Sequence, residues 1–133
     1  MFQLTVEPRF NDTDALGHIS NTAFPVWFEQ ARTPVFAIFH PALTMDDWPL
    51  ILARLEVDFK AQTYWSKPVE IQTWIGHLGT ASCQLVQEAW QAGKLVARAV
   101  SVLVYFDYKA ERSRPIPDSI REQLSAHFQH ENQ

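Results

Sequence analysis

The chain has 133 residues, of which 47% are hydrophobic and 20% charged, the balance of one folded domain and not of a disordered segment. Eleven Lys and Arg against fifteen Asp and Glu leave a net charge of −4, which argues against a dedicated nucleic-acid binder. The single cysteine, Cys83, excludes an intrachain disulfide and a cysteine-built metal site.

Residues 1–7 lack the basic and apolar regions of a secretory leader. The longest weakly polar run, Leu95 to Phe106, is too short to cross a bilayer and carries Arg98 and Ser101. The expectation is a cytoplasmic protein that partners neither nucleic acid nor membrane.

In chain order, residues 2–10 read as a first strand, with Phe2, Leu4 and Val6 alternating against polar neighbours. Asn11 to Ser20 is a polar, Asp-rich loop broken by Gly17. From Asn21 the pattern turns helical: Phe24, Trp27, Phe28, Ala31, Val35, Ile38 and Phe39 form one broad apolar face. Ser20 or Asn21 is positioned as N-cap, Pro25 falls near the first turn, and Pro34 is expected to kink or end the helix. An 18-residue helix here would run about 27 Å, enough to cross a small sheet.

Strands follow. Leu50 to Lys60 is expected to put Ile51, Ala53, Leu55, Val57 and Phe59 on one face, and Val69 to Ile75 to put Val69, Ile71, Thr73 and Ile75 together. Ser82 to Trp90 is joined to the preceding strand by a turn around Gly79. It is joined to Leu95–Phe106 by Gln91-Ala92-Gly93. That last strand is apolar on both faces, as a central strand covered on each side would be. Arg114-Pro115-Ile116-Pro117 breaks the pattern. Asp118 then caps a short helix with an Ile120, Leu124 and Phe128 stripe.

The order predicts a single α+β domain over residues 1–133, a five-stranded antiparallel sheet wrapped around one long central helix. Its unprotected edge strands point to a homodimer formed edge to edge.

The chemistry concentrates between Arg9 and Phe24. A carboxylate-bearing loop runs into the start of a helix, where unpaired N–H groups and a partial positive charge suit a carbonyl oxygen gaining negative charge. A carboxylate a few residues upstream can serve acyl transfer without Ser or Cys. The same pattern is also the ordinary chemistry of Asx-turns and caps, which is the commoner meaning of such a loop.

The run Asp14-x-x-Gly17-His18-x-x-Asn21-x-x-Phe24-x-x-x-x-Glu29-x-x-Arg32 resembles the signature of hotdog-fold acyl-CoA thioesterases, in the 4-hydroxybenzoyl-CoA thioesterase-like branch. Val57-Asp58-Phe59, Lys67-Pro68-Val69-Glu70-Ile71, Leu78-Gly79-Thr80-Ala81-Ser82 and Arg114-Pro115-Ile116-Pro117 resemble it in order and spacing, so the likeness spans residues 5 to about 118.

The resemblance implies a hotdog fold and hydrolysis of an acyl-CoA, or of an acyl-carrier-protein thioester, to free acid and thiol, with no metal or redox cofactor. Asp14 matches the catalytic carboxylate, as nucleophile or as general base for water. The backbone N–H of Asn21, with Ser20 as a second candidate, matches the carbonyl-polarising donor, and Gly17 permits the close approach of loop to helix. Ser20 stands where an Asn is frequent and Phe24 where a Tyr is frequent.

His18 is a candidate to orient Asp14 or touch substrate, with a structural role as the alternative. Phe24, Trp27 and Phe28 are candidates to line an acyl tunnel. Lys60, with Lys67 and Arg98 as alternatives, is a candidate for the CoA phosphates. The implied assembly is a homodimer or a homotetramer, with the pantetheine arm between subunits.

Glu29 and Arg32 read as a helix ion pair or subunit contact, Asp12 as turn chemistry and Cys83 as a buried small apolar residue. His127 and His130 have a metal-compatible spacing without a third ligand and read as a solvated tail. Two other activities remain open: a non-catalytic acyl-thioester binding module, and a hotdog hydratase or dehydratase, which needs a positioned His with an acid.

Overall fold

The computed structural model describes residues 1–129. His130, half of the histidine pair singled out above, lies outside them. The first strand, β1 (Phe2–Val6), stops four residues before the alternation does. Pro8 lacks the N–H needed for a ladder, and the chain turns into a single 3-10 turn at Phe10–Asp12.

The expected long helix is two pieces, α1 (Ala23–Ala31) and α2 (Thr33–Phe39), with Arg32 between them at φ −80° and ψ −9°. The break follows from Pro34, which has no N–H to give to Gln30 and whose ring crowds that carbonyl. Arg32 spans the junction: its N–H still reaches the Phe28 and Glu29 carbonyls, while its own carbonyl accepts from Val35 at 2.9 Å and Phe36 at 3.0 Å.

The sheet comprises β2 (Leu50–Phe59), β3 (Val69–Leu78), β4 (Ser82–Gln91) and β5 (Lys94–Asp107) with β1. The spatial order is β1-β3-β4-β5-β2, antiparallel throughout. A two-residue β6 (Arg112–Ser113) adds to the end of β5. Both β3–β4 and β4–β5 turns fall at their sequence signals. Gly79 N–H bonds to the Ser82 carbonyl at 2.8 Å, and Ala92 and Gly93 take left-handed φ values of 50° and 78°.

Period-two alternation places Val69, Ile71, Thr73 and Ile75 inward, each no more than 1% exposed. On β2 the expected face holds from Leu55 onward and fails before it. Ala53 is an extra residue between Leu52 and Arg54, so the alternation changes phase there. Leu55, Val57 and Phe59 pair with Ser101, Ala99 and Ala97 on the helix-facing side, whereas Ile51 pairs with Val104 on the other. β5 does lie inside the sheet, yet Val100, Val102 and Val104 on its outer face are only half-buried.

Two apolar clusters fill the concave side. One gathers Trp27 and Phe28 of α1 with Val69, Ile71, Ala97 and Ala99. The other gathers Val35 and Phe39 of α2 with Ile75, Leu85, Leu103 and Leu124, the last from α3 (Asp118–Ser125). The α3 cap is Pro117, one residue before the expected Asp118.

Between the clusters sits a polar layer. Gln87 donates from Nε2 to the Phe28 carbonyl at 2.9 Å and to Thr73 Oγ1 at 3.0 Å, and accepts from Arg32 Nη1 at 3.4 Å. Arg32 is thus turned into the core, 2% exposed, and makes no ion pair with Glu29 among the described residues. Burial draws its pKa down, opposed by the Glu29 charge.

Candidate active site

The loop before α1 is built around two aspartates with different work. Asp12 is buried, accepts the Arg9 backbone N–H at 2.7 Å and pairs with the Arg9 guanidinium. Burial pushes its pKa up, but the hydrogen bonds and charge of Arg9 outweigh that and hold it below the ordinary value. Its carbonyl accepts the Ser20 N–H at 2.7 Å, tying the two ends of the loop together.

Asp14 begins a tight turn. Its Oδ1 accepts the N–H of Leu16 at 2.8 Å and of His18 at 3.1 Å, and its own N–H bonds to the His18 carbonyl at 2.7 Å. Gly17 closes the turn at φ 81°, a backbone region that suits glycine. The Asx-turn reading is therefore correct for one carboxylate oxygen. Oδ2 has no donor among the described residues, so the turn fixes the group and leaves one oxygen unengaged.

The loop docks onto the segment after β2. Ile19 N–H reaches the Thr63 carbonyl at 2.8 Å, His18 bridges to Tyr64, and their rings meet edge-on at 5.4 Å. Thr22 is the helix N-cap, not Ser20 or Asn21. Ser20 Oγ accepts the Thr22 N–H at 3.2 Å, and the Ser20 carbonyl accepts the Ala23 N–H at 3.1 Å. Asn21 is exposed, and its backbone N–H bonds to nothing among the described residues.

A cleft of about 500 Å³ opens where these pieces meet, lined by Asp14, Ile19, Asn21 and Phe24 on one side and residues 59–63 on the other. Of the residues singled out by sequence, the cleft brings together Asp14, Asn21, Phe24 and Lys60. Gly17, His18 and Ser20 shape the loop behind it. Trp27 and Phe28, 3% and 0% exposed, are core residues outside its lining.

Phe59 and Thr63 were missed as lining residues. Phe59 meets Phe24 edge-on at 5.7 Å and is 51% exposed; a large aromatic at the end of an edge strand was the available signal. Thr63 is buried, with Oγ1 lacking a partner among the described residues. Cys83 is buried, its thiol pushed up to about 12 by that burial, which rules it out as a thiolate nucleophile.

His127 is not in a solvated tail. Its ring stacks on Phe2 at 4.0 Å and its carbonyl accepts the Ile75 N–H at 2.9 Å. A larger cleft, about 570 Å³ and lined by Met45, Trp48, Tyr108 and Arg114, lies beside Phe106. Phe106 lies nine positions along β5 from Ala97, roughly 30 Å, so this cleft is remote from the one lined by Asp14.

The model of the thioesterase-like superfamily matches residues 8–124. The chain belongs to that superfamily. Its structure is similar to that of a "predicted thioesterase" from Bacillus stearothermophilus, with a TM-score of 0.94 and 38% identity over 97% of each chain, and the fold is hotdog-like.

Two curated relatives frame the superfamily likeness. An acyl-[acyl-carrier-protein] hydrolase, FATB1, of Cuphea viscosissima is 29% identical over 91 residues, covering 66% of this chain and 22% of that protein. The chain thus spans under a quarter of that relative's length. An acyl-CoA thioester hydrolase, YbgC, of Escherichia coli is 26% identical over 90% of this chain and 92% of its own.

Proposed function

We propose that the chain hydrolyses acyl thioesters, with acyl-CoA as the substrate class and Asp14 as the reacting carboxylate. The observation that carries this reading is that Asp14, held through Oδ1 with Oδ2 uncommitted, shares one cleft with Asn21, whose backbone N–H has no partner. Membership in the superfamily and the likeness to YbgC support it.

In the water route, Oδ2 takes a proton from a water whose oxygen attacks the thioester carbonyl carbon. The Asn21 N–H donates to the resulting oxyanion, the C–S bond breaks, and the thiolate recovers the proton from Asp14. In the covalent route, Oδ2 attacks the carbonyl carbon, the C–S bond breaks to release the thiolate and leave a mixed anhydride, and water then cleaves the anhydride to the free acid and the Asp14 carboxylate, its proton going to the thiolate. Phe24 and Phe59 form an apolar wall against which an acyl group or pantetheine arm packs. Two sheet edges, β1 and β2, pair on one side only among the described residues, which supports an edge-to-edge homodimer.

The deciding experiment is free-thiol release from short, medium and long acyl-CoAs and benzoyl-CoA by wild type and Asp14→Asn. Loss of about a hundredfold or more in kcat is expected from removing the reacting carboxylate. Equal turnover in the two proteins would remove Asp14 from the chemistry. Binding without turnover in folded wild type would favour the non-catalytic module.

A further inference from the structure

The outer face of the sheet, opposite the helices, carries an apolar stripe. Across the strand registers Trp74 lies beside Val86 and Val86 beside Val100; Val102 and Val104 follow along β5, and Ile51 of β2 pairs with Val104. Trp74 and Val86 are buried yet belong to neither cluster of the concave side, and the other four are half-buried. An antiparallel sheet face turned to water normally presents polar side chains. A contiguous apolar patch of a few hundred Å² marks a contact surface instead.

The polar groups around the stripe carry both signs. Arg54 pairs with Glu56 on β2, and Arg98 Nε lies 3.9 Å from Glu88, with Asp58 opposite Arg98 in register. A partner of one charge sign finds no field to follow here. A second copy turned about a two-fold axis offers bases to acids in both directions.

Size decides how many copies are needed. Four strands at about 4.8 Å and the six residue steps from Arg98 to Val104 at about 3.4 Å make a face of roughly 400 Å². A stable interface takes about 800 Å² from each side, so one face falls short. Two protomers joined edge to edge at β2 set two such faces side by side and reach it, because Ile51, Arg54 and Glu56 carry the face up to that edge.

We propose that this face docks a second copy of itself, so that two edge-joined pairs pack back to back into a four-chain assembly. The β-branched side chains of the two sheets would interdigitate at the roughly 10 Å spacing of stacked sheets. The proposal rests on the edge-to-edge pairing in the proposed function. No residue lining the Asp14 cleft belongs to the stripe, so the stacking does not draw on the site.

Sedimentation velocity of the full chain over a concentration series tests this. Val102→Glu charges the stripe, and Val102→Thr/Val104→Thr weakens it while keeping side chains that favour strands. Wild type is expected as a four-chain species that dilutes to two chains. Val102→Glu is expected as two chains, with unchanged far-UV circular dichroism and unchanged kcat/KM on an acyl-CoA. The threonine pair is expected to raise the four-to-two-chain dissociation constant at least about tenfold, and it decides the matter if Val102→Glu does not fold. Wild type held at two chains up to about 100 μM overturns the proposal, as does a four-chain species that neither variant weakens.

Leu52→Glu, exposed on the β2 edge, separates the two pairings and is expected to take the protein from four chains to one. A two-chain wild type that Leu52→Glu splits would leave the edge pairing standing and sink only the stacking. A two-chain wild type that Val102→Glu splits would sink the edge pairing on which the stacking rests.

Discussion

The two ends of the concave face are packed differently. At the α2 end, Val35, Phe39 and Leu50 are covered by α3 and by Ile116, and the buried cluster closes on itself, the cleft beside Phe106 being lined by residues outside it. At the α1 end the same kind of apolar cluster runs out into a cleft, where Phe24 meets Phe59 and a carboxylate stands at the rim. One end is built to hold the sheet and the helices together. The other gives up part of its burial to an opening.

The comparison breaks most sharply at Leu124. It is fully buried in the closed cluster, so Leu124→Ala is expected to cost about 2–5 kcal/mol in denaturant unfolding. At temperatures where that variant stays folded, kcat/KM is expected to match wild type. A loss of activity without loss of stability would mean the ends are coupled.

Gln87, in the polar layer between the ends, gives a smaller effect. Gln87→Ala leaves the buried Arg32 guanidinium and the Phe28 carbonyl without that partner, at a cost of about 1–3 kcal/mol. Urea unfolding of Gln87→Ala beside the double variant with Arg32→Met reads this directly. If the stranded charge is the cause, adding Arg32→Met restores much of the loss.

The smallest change belongs to the loop at the open end. Asp12→Asn is expected to lose about 1–2 kcal/mol at neutral pH. The Asp12 pKa is depressed in the fold, so its contribution is present above the ordinary value of 3.8 and fades as pH falls through the lower folded value. Melting curves of wild type and Asp12→Asn are therefore expected to converge below pH 3.8. Parallel curves would show that Asp12 is not acting through its charge.

Alternation made β3 and its inward residues legible, and glycine chemistry did the same for both hairpin turns. The Asp14 loop was legible because its turn and its placement before a helix are local features. Three things were not. The extra residue at Ala53 changes no composition or local propensity, yet it changes which residues face the helices in the first half of β2. Arg32 reads as a surface ion-pair partner from its spacing to Glu29, and only the break at Pro34 turns it inward. Phe59 and Thr63 reach the Asp14 loop across some forty residues of chain, a distance no periodicity spans.

The irregularity at Ala53 also bears on what this protein avoids. β2 is an edge of the sheet, with Leu52 and Phe59 exposed, and a regular edge of that kind is a template for endless stacking. The extra residue splits it into two short rails out of phase, with Arg54 charged at the join. An incoming strand that fits one rail presents the wrong faces to the other, so a slipped or repeated pairing fails after a few residues. The same residue that hides the register of β2 from the sequence thus limits the edge to pairings that match the break, as one matched copy can and an open-ended series of slipped strands cannot.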